Sequence, residues 1–222
     1  MYYNKRIDLR MKRDFDEMIR HEIPGQNHDC DLIHTFGFDG GMTAFSEPAR
    51  CVCFSKAQDK TPVFRTSHDK PITQGMLVYL RDEERFYLLA DRVQRDVNCY
   101  STKATPCNAR ITIVADIPAE TDDDGYLVRE ETTKELVKGI PCVIKTNPTL
   151  SDGGVGLVLN DDMRVILQLN KYTQDIPIEA HFILDGQAYT VCTKTITGDE
   201  ERTYGTITLT CRPIAGGMSR PS

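Results

Sequence analysis

The chain has 222 residues and a mass of 25.1 kDa, enough for one large domain or two small ones. Its net charge of −6 argues against a dedicated nucleic-acid binder, because such proteins need a surplus of lysine and arginine to displace counterions. No apolar run approaches the roughly 20 residues that cross a bilayer, and the first residues lack the apolar segment of a secretory signal. We therefore expect a protein of the cytosol, or one assembled there.

Residues 4–20 are predicted to form a helix, within an N-terminal helical arm over residues 1–29. Apolar residues recur at spacings of four, four and three, which places them on one face of the helix. This face packs either on its own domain or on a neighbouring subunit, and we take it as the candidate subunit-contact face. Its residues are Ile7, Met11, Phe15 and Met18.

Residues 30–115 are predicted to form a first β module. Two apolar runs within residues 76–90 flank a polar turn, a pattern typical of a β-hairpin. A later strand carries Ile111 and Ile113 on one face, because alternate residues of a strand point the same way. This part of the chain therefore supplies several short strands.

Residues 116–148 are predicted to be an acidic linker followed by a connecting strand. The first part is rich in aspartate and is turn-like. Residues 130–138 are predicted to form a short helix that ends at Gly139, although the β-branched Thr132 and Thr133 suit a strand as well.

Residues 149–213 are predicted to form a second β module, and residues 214–222 a flexible tail. Asn160–Asp162 is predicted to be a turn between two strands. Asp185-Gly186 separates two alternating runs and strongly favours a hairpin, since glycine adopts the positive φ of a tight turn. In residues 206–211 three apolar side chains alternate with three threonines, which are expected to point outward.

These elements together predict a mainly β fold, with two small β-barrel or β-sandwich modules and a short N-terminal helix. The edges of small β modules are either protected or used to pair with other chains. An interaction or structural role is therefore the default expectation.

The eight cysteines are expected to be reduced, because disulfides persist mainly in oxidising compartments. Reduced thiols behave as small apolar side chains, so these residues are predicted to be structural. They are Cys30, Cys51, Cys53, Cys99, Cys107, Cys142, Cys192 and Cys211.

The spacing of the reactive residues favours no chemical site. Cys51 and Cys53 are separated by one residue, whereas zinc sites normally have a two-residue gap and a second pair. Asp122–Asp124 lacks the alternating oxygen ligands of a calcium loop. A Cys30 nucleophile with His28 or His34 as its base has no evident third residue to orient the base. We predict no catalytic residue, no metal and no cofactor, and a protein that is not an enzyme.

Two stretches carry an ordered set of motifs. In the first, a glycine precedes an apolar strand, an aromatic strand follows a turn, and a Cys-Asn pair opens the next strand. The stretches are Ile72–Leu80 with Phe86–Leu89, Tyr100 and Pro106–Ile113, and Phe182–Val191 with Gly205–Leu209. The first resembles small neck proteins of tailed bacteriophages, the head–tail connector or head-closure group. The second resembles the carboxy-terminal β module of larger members.

This resemblance implies a virion structural protein of the neck, assembled in the host cytoplasm. It would form a ring of six or twelve copies between portal and tail, join head to tail, and help to retain packaged DNA. Its partners would be further copies of itself, a portal or adaptor protein, and a tail tube or tail terminator protein. Packaged DNA would pass through the channel without sequence-specific binding, and no membrane would be involved.

Three alternatives stay open at this point. The first is another structural β protein of the tail or baseplate. The second is a module with an OB-like face that binds single-stranded nucleic acid. The third is an unrecognised enzyme such as a cysteine hydrolase, in which an activated Cys30 would react faster than the other thiols.

Overall fold

The computed structural model describes most of the chain as β-structure. The described residues are 10, 13–15, 17, 27–37, 46–56, 59–96, 99–121, 124, 126–152, 157–199 and 203–214, with the backbone alone described at 56, 59, 60, 120, 121, 147–152 and 157–161. Within these ranges the strands are β1 (Asn27–Ile33), β2 (Ser46–Lys56), β3 (Asp59–Ser67), β4 (Leu77–Leu80), β5 (Arg85–Leu88), β6 (Gln94–Arg95), β7 (Cys99–Lys103), β8 (Thr105–Pro106), β9 (Ala109–Ile117), β10 (Glu120–Thr121), β11 (Leu127–Arg129), β12 (Thr132–Asp152), β13 (Leu157–Gln168), β14 (His181–Leu184), β15 (Gln187–Gly198) and β16 (Gly205–Pro213).

The first eight strands form one antiparallel sheet in the order β6-β7-β3-β2-β1-β4-β5-β8. The predicted hairpin is confirmed, because β4 pairs with β5 across the turn at residues 81–84. Glu84 takes a φ of 50° in that turn. Both edge strands, β6 and β8, have only two residues, which limits the edge that another chain could extend.

The later strands, together with β9, close into a six-stranded barrel in the order β12-β13-β16-β15-β14-β9. Its interior contains Ile111 and Ile113 of β9 and Ile207 and Leu209 of β16, all buried. The predicted hairpin at Asp185-Gly186 is confirmed, with φ values of 50° and 81° that fit a tight two-residue turn. The prediction of a mainly β fold with barrel or sandwich modules is confirmed.

Two local predictions are wrong. Residues 132–138 lie in β12 and not in a helix, since this segment pairs with β9. Gly139 has a positive φ because it lies where the register of β12 shifts, between Val137 and Ile140, and it does not cap a helix. Asn160–Asp162 is not a turn, because β13 continues through it and pairs with Asn147–Thr149. In both places the backbone hydrogen bonds of a long ladder outweigh the local residue preference.

One threonine also departs from the expected pattern. Thr206 is buried near the start of β16, where it pairs with Gln168 of β13 and Thr197 of β15. Thr208 and Thr210 are partly exposed, as their alternation predicts.

Strand β12 is long enough to take part in two hairpins. Its first half pairs with β9, from Cys142 back to Thr132, and its second half pairs with β13 as far as Asp152. On its other side β13 pairs with β16 only over Met163–Gln168. The β12–β13 hairpin therefore extends beyond the ladder with β16. Hairpins therefore leave β12 at both of its ends.

The sheet and the barrel share a continuous core. Ile33, Phe36 and Leu77 of the sheet region pack in the same apolar cluster as the barrel interior. The side-chain amide of Gln168 joins the two parts, because its Oε1 accepts from the backbone N of Phe36 at 2.8 Å and its Nε2 donates to the carbonyl of Ile33 at 2.8 Å. These buried hydrogen bonds fix the sheet against one end of β13.

The predicted domain boundaries stay predictions. Strands β9 and β12 both lie in the barrel. By sequence, β9 is predicted to lie in the first module and most of β12 in the linker. Within the predicted N-terminal helix, Arg10, Arg13–Phe15 and Glu17 are helical, and its other residues lie outside the described ranges. Among the described residues, no helix has the length and apolar character needed to cross a bilayer.

Candidate assembly surface

The connection between β9 and β12 forms an exposed β-hairpin. Ile117 pairs with Thr132 at the end of the barrel ladder, and the chain then continues into β10 and β11, which pair with each other at Glu120 and Arg129. We call residues 118–131 the arm. Its two strands form a separate two-stranded sheet, and such ribbons are marginally stable in water on their own.

The arm exposes large apolar side chains. Tyr126 is 73% exposed, Leu127 58% and Val128 64%. Since successive side chains of a strand point to opposite faces, this run presents apolar surface on both faces of the ribbon. A strand that is apolar on both faces is typical of a segment that another structure covers on both sides.

The net charge of the chain is concentrated at the arm and its base. Residues 116–131 contain seven acidic residues and one basic residue, a net charge of −6. The chain has 33 acidic and 27 basic residues, so the rest of it contains 26 of each and has no net charge. The charged residues are Asp116, Glu120, Asp122, Asp123, Asp124, Glu130, Glu131 and Arg129.

A second surface lies on the eight-stranded sheet. Cys51 of β2 points into the core beside Cys30 and Phe64, so Val52 and its alternate neighbours point to the opposite side. We call that side the outer sheet face. By strand register it carries Arg50, Val52 and Phe54 of β2, Val63 and Arg65 of β3, and Ser101 and Lys103 of β7.

The outer sheet face combines apolar and basic groups. The Arg65 guanidinium lies over the Phe54 ring at 5.1 Å from its centroid. Arg50 is exposed and lies 3.4 Å from Asp29, a separation at which an exposed ion pair contributes little to stability. Lys103 is exposed as well. The exposed positions of this face, Arg50 and Lys103, thus carry positive charge, and its apolar side chains are buried or half-buried.

The predicted subunit-contact face is described at one position. Phe15 is buried and packs against Val52 and Cys99 of the same chain, with Phe54 beside them. This contact places the helical segment on the outer sheet face. Ile7, Met11 and Met18 lie outside the described residues, so their role as a subunit contact stays a prediction.

The cysteines are free thiols, and most are buried. Burial raises the pKa of Cys53, Cys107 and Cys211 to about 12 each, and it raises the pKa of Cys51 and Cys142 further. The Cys51 thiol donates to the carbonyl of His28 at 3.7 Å and lies beside Cys30. Thiols held protonated in this way are weak nucleophiles and poor metal ligands.

The residues weighed as catalytic or metal-binding candidates do not converge. Nδ1 of His28 lies 2.6 Å from the carboxylate of Asp82, and Nε2 of His34 lies 3.5 Å from Glu47. Cys30 is fully buried. Within the described residues, no three His, Cys, Asp or Glu side chains are grouped as a metal site would require. Of the acidic run, Asp124 is exposed, and Asp122 and Asp123 lie outside the described residues.

Comparison with known proteins relates the barrel and the arm to phage proteins. Residues 115–212 match the family model of the YomX C-terminal domain, a phage-derived family named for a Bacillus prophage protein. This region is similar to a phage domain. The matched residues include the whole arm and strands β12 to β15, together with almost all of β16. The match is consistent with a phage protein.

Other comparisons add little. No curated protein matches the chain. Two solved structures of MrkH from K. pneumonia, one in its apo state and one from a P2(1) crystal, align over 93% of this chain with 10% and 11% identity. They are covered over 87% and 84% of their own lengths, with TM-scores of 0.24 and 0.23. Superpositions of this quality support no conclusion about this chain.

Sequence reasoning identified the acidic segment but not the arm. Tyr126–Val128 follows the acidic run directly, and an apolar triplet inside a charged loop is the pattern that could have revealed an exposed contact strand. The outer sheet face leaves no such pattern, because its residues come from three strands that only the fold brings together.

Proposed function

We propose that this protein is a structural component of a phage particle that acts at the neck. In this role it forms a ring of six or twelve copies between portal and tail, joins head to tail, and helps to retain packaged DNA. The observation that carries the proposal is the arm: a hairpin with exposed apolar residues on both faces, which extends from a barrel that is similar to a phage-derived domain.

The chemistry of the described residues supports a structural role over a catalytic one. The thiols closest to the weighed histidines are buried, and the pKa of Cys51 is raised by burial beside Cys30. The surfaces that stand out are instead suited to contacts between proteins. We therefore propose that the protein works by association with copies of itself and with a portal or adaptor protein on one side and a tail protein on the other.

The charge distribution is compatible with DNA passing nearby. Residues outside 116–131 have no net charge, so most of the protein offers no surplus of cations for phosphate binding. We propose that packaged DNA passes through the ring without sequence-specific contact. The site of action is the neck of the virion, after assembly in the host cytoplasm.

A phage that lacks the gene tests this proposal, with the wild-type gene supplied from a plasmid as the control. Electron microscopy of the lysates should show separate heads and tails without the gene and joined particles when the gene is supplied. Immunogold labelling of wild-type particles should place the protein at the head–tail junction. Joined particles in the absence of the gene, or label confined to another part of the virion, would contradict the neck role.

A further inference from the structure

We propose that the arm of one copy docks on the outer sheet face of a second copy of this chain. The proposal rests on the proposed ring-forming function and names the contact that would join neighbouring subunits. It concerns two surfaces that the fold places on different parts of the protein: the ribbon β10–β11 beyond the barrel, and the face of β2, β3 and β7 in the eight-stranded sheet.

The apolar groups of the two surfaces are complementary. Leu127 and Val128 are exposed on the arm and point to opposite faces of their strand. On the outer sheet face Phe15 of the same chain already covers Val52, so the apolar side chains left for a partner are Phe54 and Val63, which are only partly buried. Covering one face of the arm removes the apolar side chains of that face from water, which favours association.

The charges of the two surfaces are complementary as well. The arm contains six acidic residues and one basic residue, and among them Glu130 and Glu131 are exposed. The outer sheet face presents exposed Lys103, exposed Arg50 in a weak ion pair with Asp29, and Arg65 between their strands. Charge complementarity of this kind orients the partners and suppresses wrong pairings.

The contact has a definite symmetry. The arm and the outer sheet face are different surfaces, so each copy donates one arm and accepts one arm, which is a heterologous contact. Repetition of a heterologous contact closes into a ring when the rotation between copies allows it, and otherwise continues as an open filament. A ring in the neck needs a contact of this type.

Sedimentation of the full chain over a wide concentration range tests the proposal. The arm variant combines Leu127→Ser with Val128→Ser, the face variant combines Arg50→Glu with Lys103→Glu, and Ile183→Ser is the control, since Ile183 is 56% exposed on the barrel outside both surfaces. We expect the wild-type protein to self-associate and each of the first two variants to associate more weakly by roughly tenfold or more. The control should match the wild type.

Mixtures of the variants reveal the direction of the contact. The arm variant retains an intact face and the face variant retains an intact arm, so an equimolar mixture should form a two-chain complex and nothing larger. Adding Glu130→Lys and Glu131→Lys to the face variant should restore self-association, because the charges are then exchanged. Self-association should also weaken as salt is raised from about 50 mM to about 500 mM.

Several outcomes would overturn the docking. These are a wild-type protein that stays monomeric at every concentration, an arm variant that associates as well as the wild type, or a variant mixture without the two-chain complex. The phage assay separates this failure from that of the proposed function. If heads and tails separate without the gene but the arm variant still associates, the docking fails and the neck role stands. If the arm variant is monomeric in solution but heads and tails join even without the gene, the docking stands and the neck role fails.

Discussion

A Cβ atom on Gly75 would lie 1.6 Å from the carbonyl oxygen of Gly205, so the two residues meet backbone to backbone. Gly75 precedes β4 in the sheet, and Gly205 opens β16 in the barrel. The same carbonyl of Gly205 accepts from the backbone N of Leu169 at 2.9 Å, and the N of Gly75 donates to Leu89 at 2.7 Å. Both backbones are thus held in place, and neither can move aside for a side chain.

Replacing Gly75 should therefore destabilise the joint between sheet and barrel. Gly75→Ala adds a methyl group at a φ of +85°, where it meets fixed backbone. We expect the free energy of unfolding in urea to fall by about 2–4 kcal/mol. Gly186→Ala is the matched control, because Gly186 has a φ of +81° with nothing within 4 Å of the added Cβ, and it should cost only about 1 kcal/mol. Equal losses for the two variants would contradict the close contact.

The amide of Gln168 should contribute to the same joint. Gln168→Leu keeps most of the side-chain volume but leaves the backbone N of Phe36 and the carbonyl of Ile33 without their buried partner. We expect a loss of about 2–3 kcal/mol in the free energy of unfolding, measured by urea denaturation. Gln187→Leu, at an exposed position, should change it by less than about 0.5 kcal/mol. A neutral Gln168→Leu would show that these hydrogen bonds do not hold the parts together.

The buried thiols should make stability depend on alkaline pH. The pKa of Cys211 is raised to about 12 by burial, while an unfolded thiol titrates near pH 8.5. The folded state therefore binds its proton more tightly, so this contribution is complete below about pH 8.5 and is lost as pH rises toward 12. The free energy of unfolding should fall over that window. In Cys211→Val the fall should be shallower, and an unchanged slope would contradict the raised pKa.

Removal of the arm should leave the barrel folded. Ile117 and Thr132 are direct cross-strand partners, so a two-residue Asn-Gly turn can replace residues 118–131. The large apolar side chains removed are exposed, and we expect the free energy of unfolding to change by no more than about 1 kcal/mol. The net charge would change from −6 to −1, since six acidic and one basic residue are lost. Cooperative unfolding followed by circular dichroism checks this expectation, and a chain that no longer folds would show that the arm stabilises the barrel.

The helical segment at Phe15 should protect the thiol of Cys99. Both residues are buried in one small cluster with Val52. Phe15→Ala removes the largest side chain of that cluster, so labelling of Cys99 by a thiol reagent should become faster, by roughly tenfold or more. Labelling of Cys142, which is buried in the barrel, should not change. Unchanged labelling at Cys99 would indicate that the segment does not cover it.

The sequence predicts those strands whose hydrophobic alternation is uninterrupted. In β9 and β16 the alternate residues Ile111, Ile113, Ile207 and Leu209 lie in the core, as their spacing requires. The turn at Asp185-Gly186 is predictable for a local reason, because both of its residues adopt positive φ. In such places the local preference and the fold agree.

The sequence does not predict features that depend on distant pairing. Thr132–Lys138 has mixed local preferences, and its pairing with β9 decides the outcome. The aspartates at 161 and 162 favour a turn locally, yet β12 supplies a complete ladder opposite them. The outer sheet face is likewise invisible in the sequence, since Arg50, Arg65 and Lys103 come to lie on one face only after β2, β3 and β7 pair.

The participation of β12 in two hairpins has a mechanical consequence. A pull on the hairpin at one end of this strand and a counter-pull at the other act along the strand direction, across antiparallel ladders with β9 and β13. Tension between the two ends of β12 is therefore carried by one continuous backbone. The ladder hydrogen bonds run perpendicular to the strands, so any load that they pass to β9 or β13 acts on many of them in shear at once. A load on one of the two hairpins thus reaches the other along a single strand.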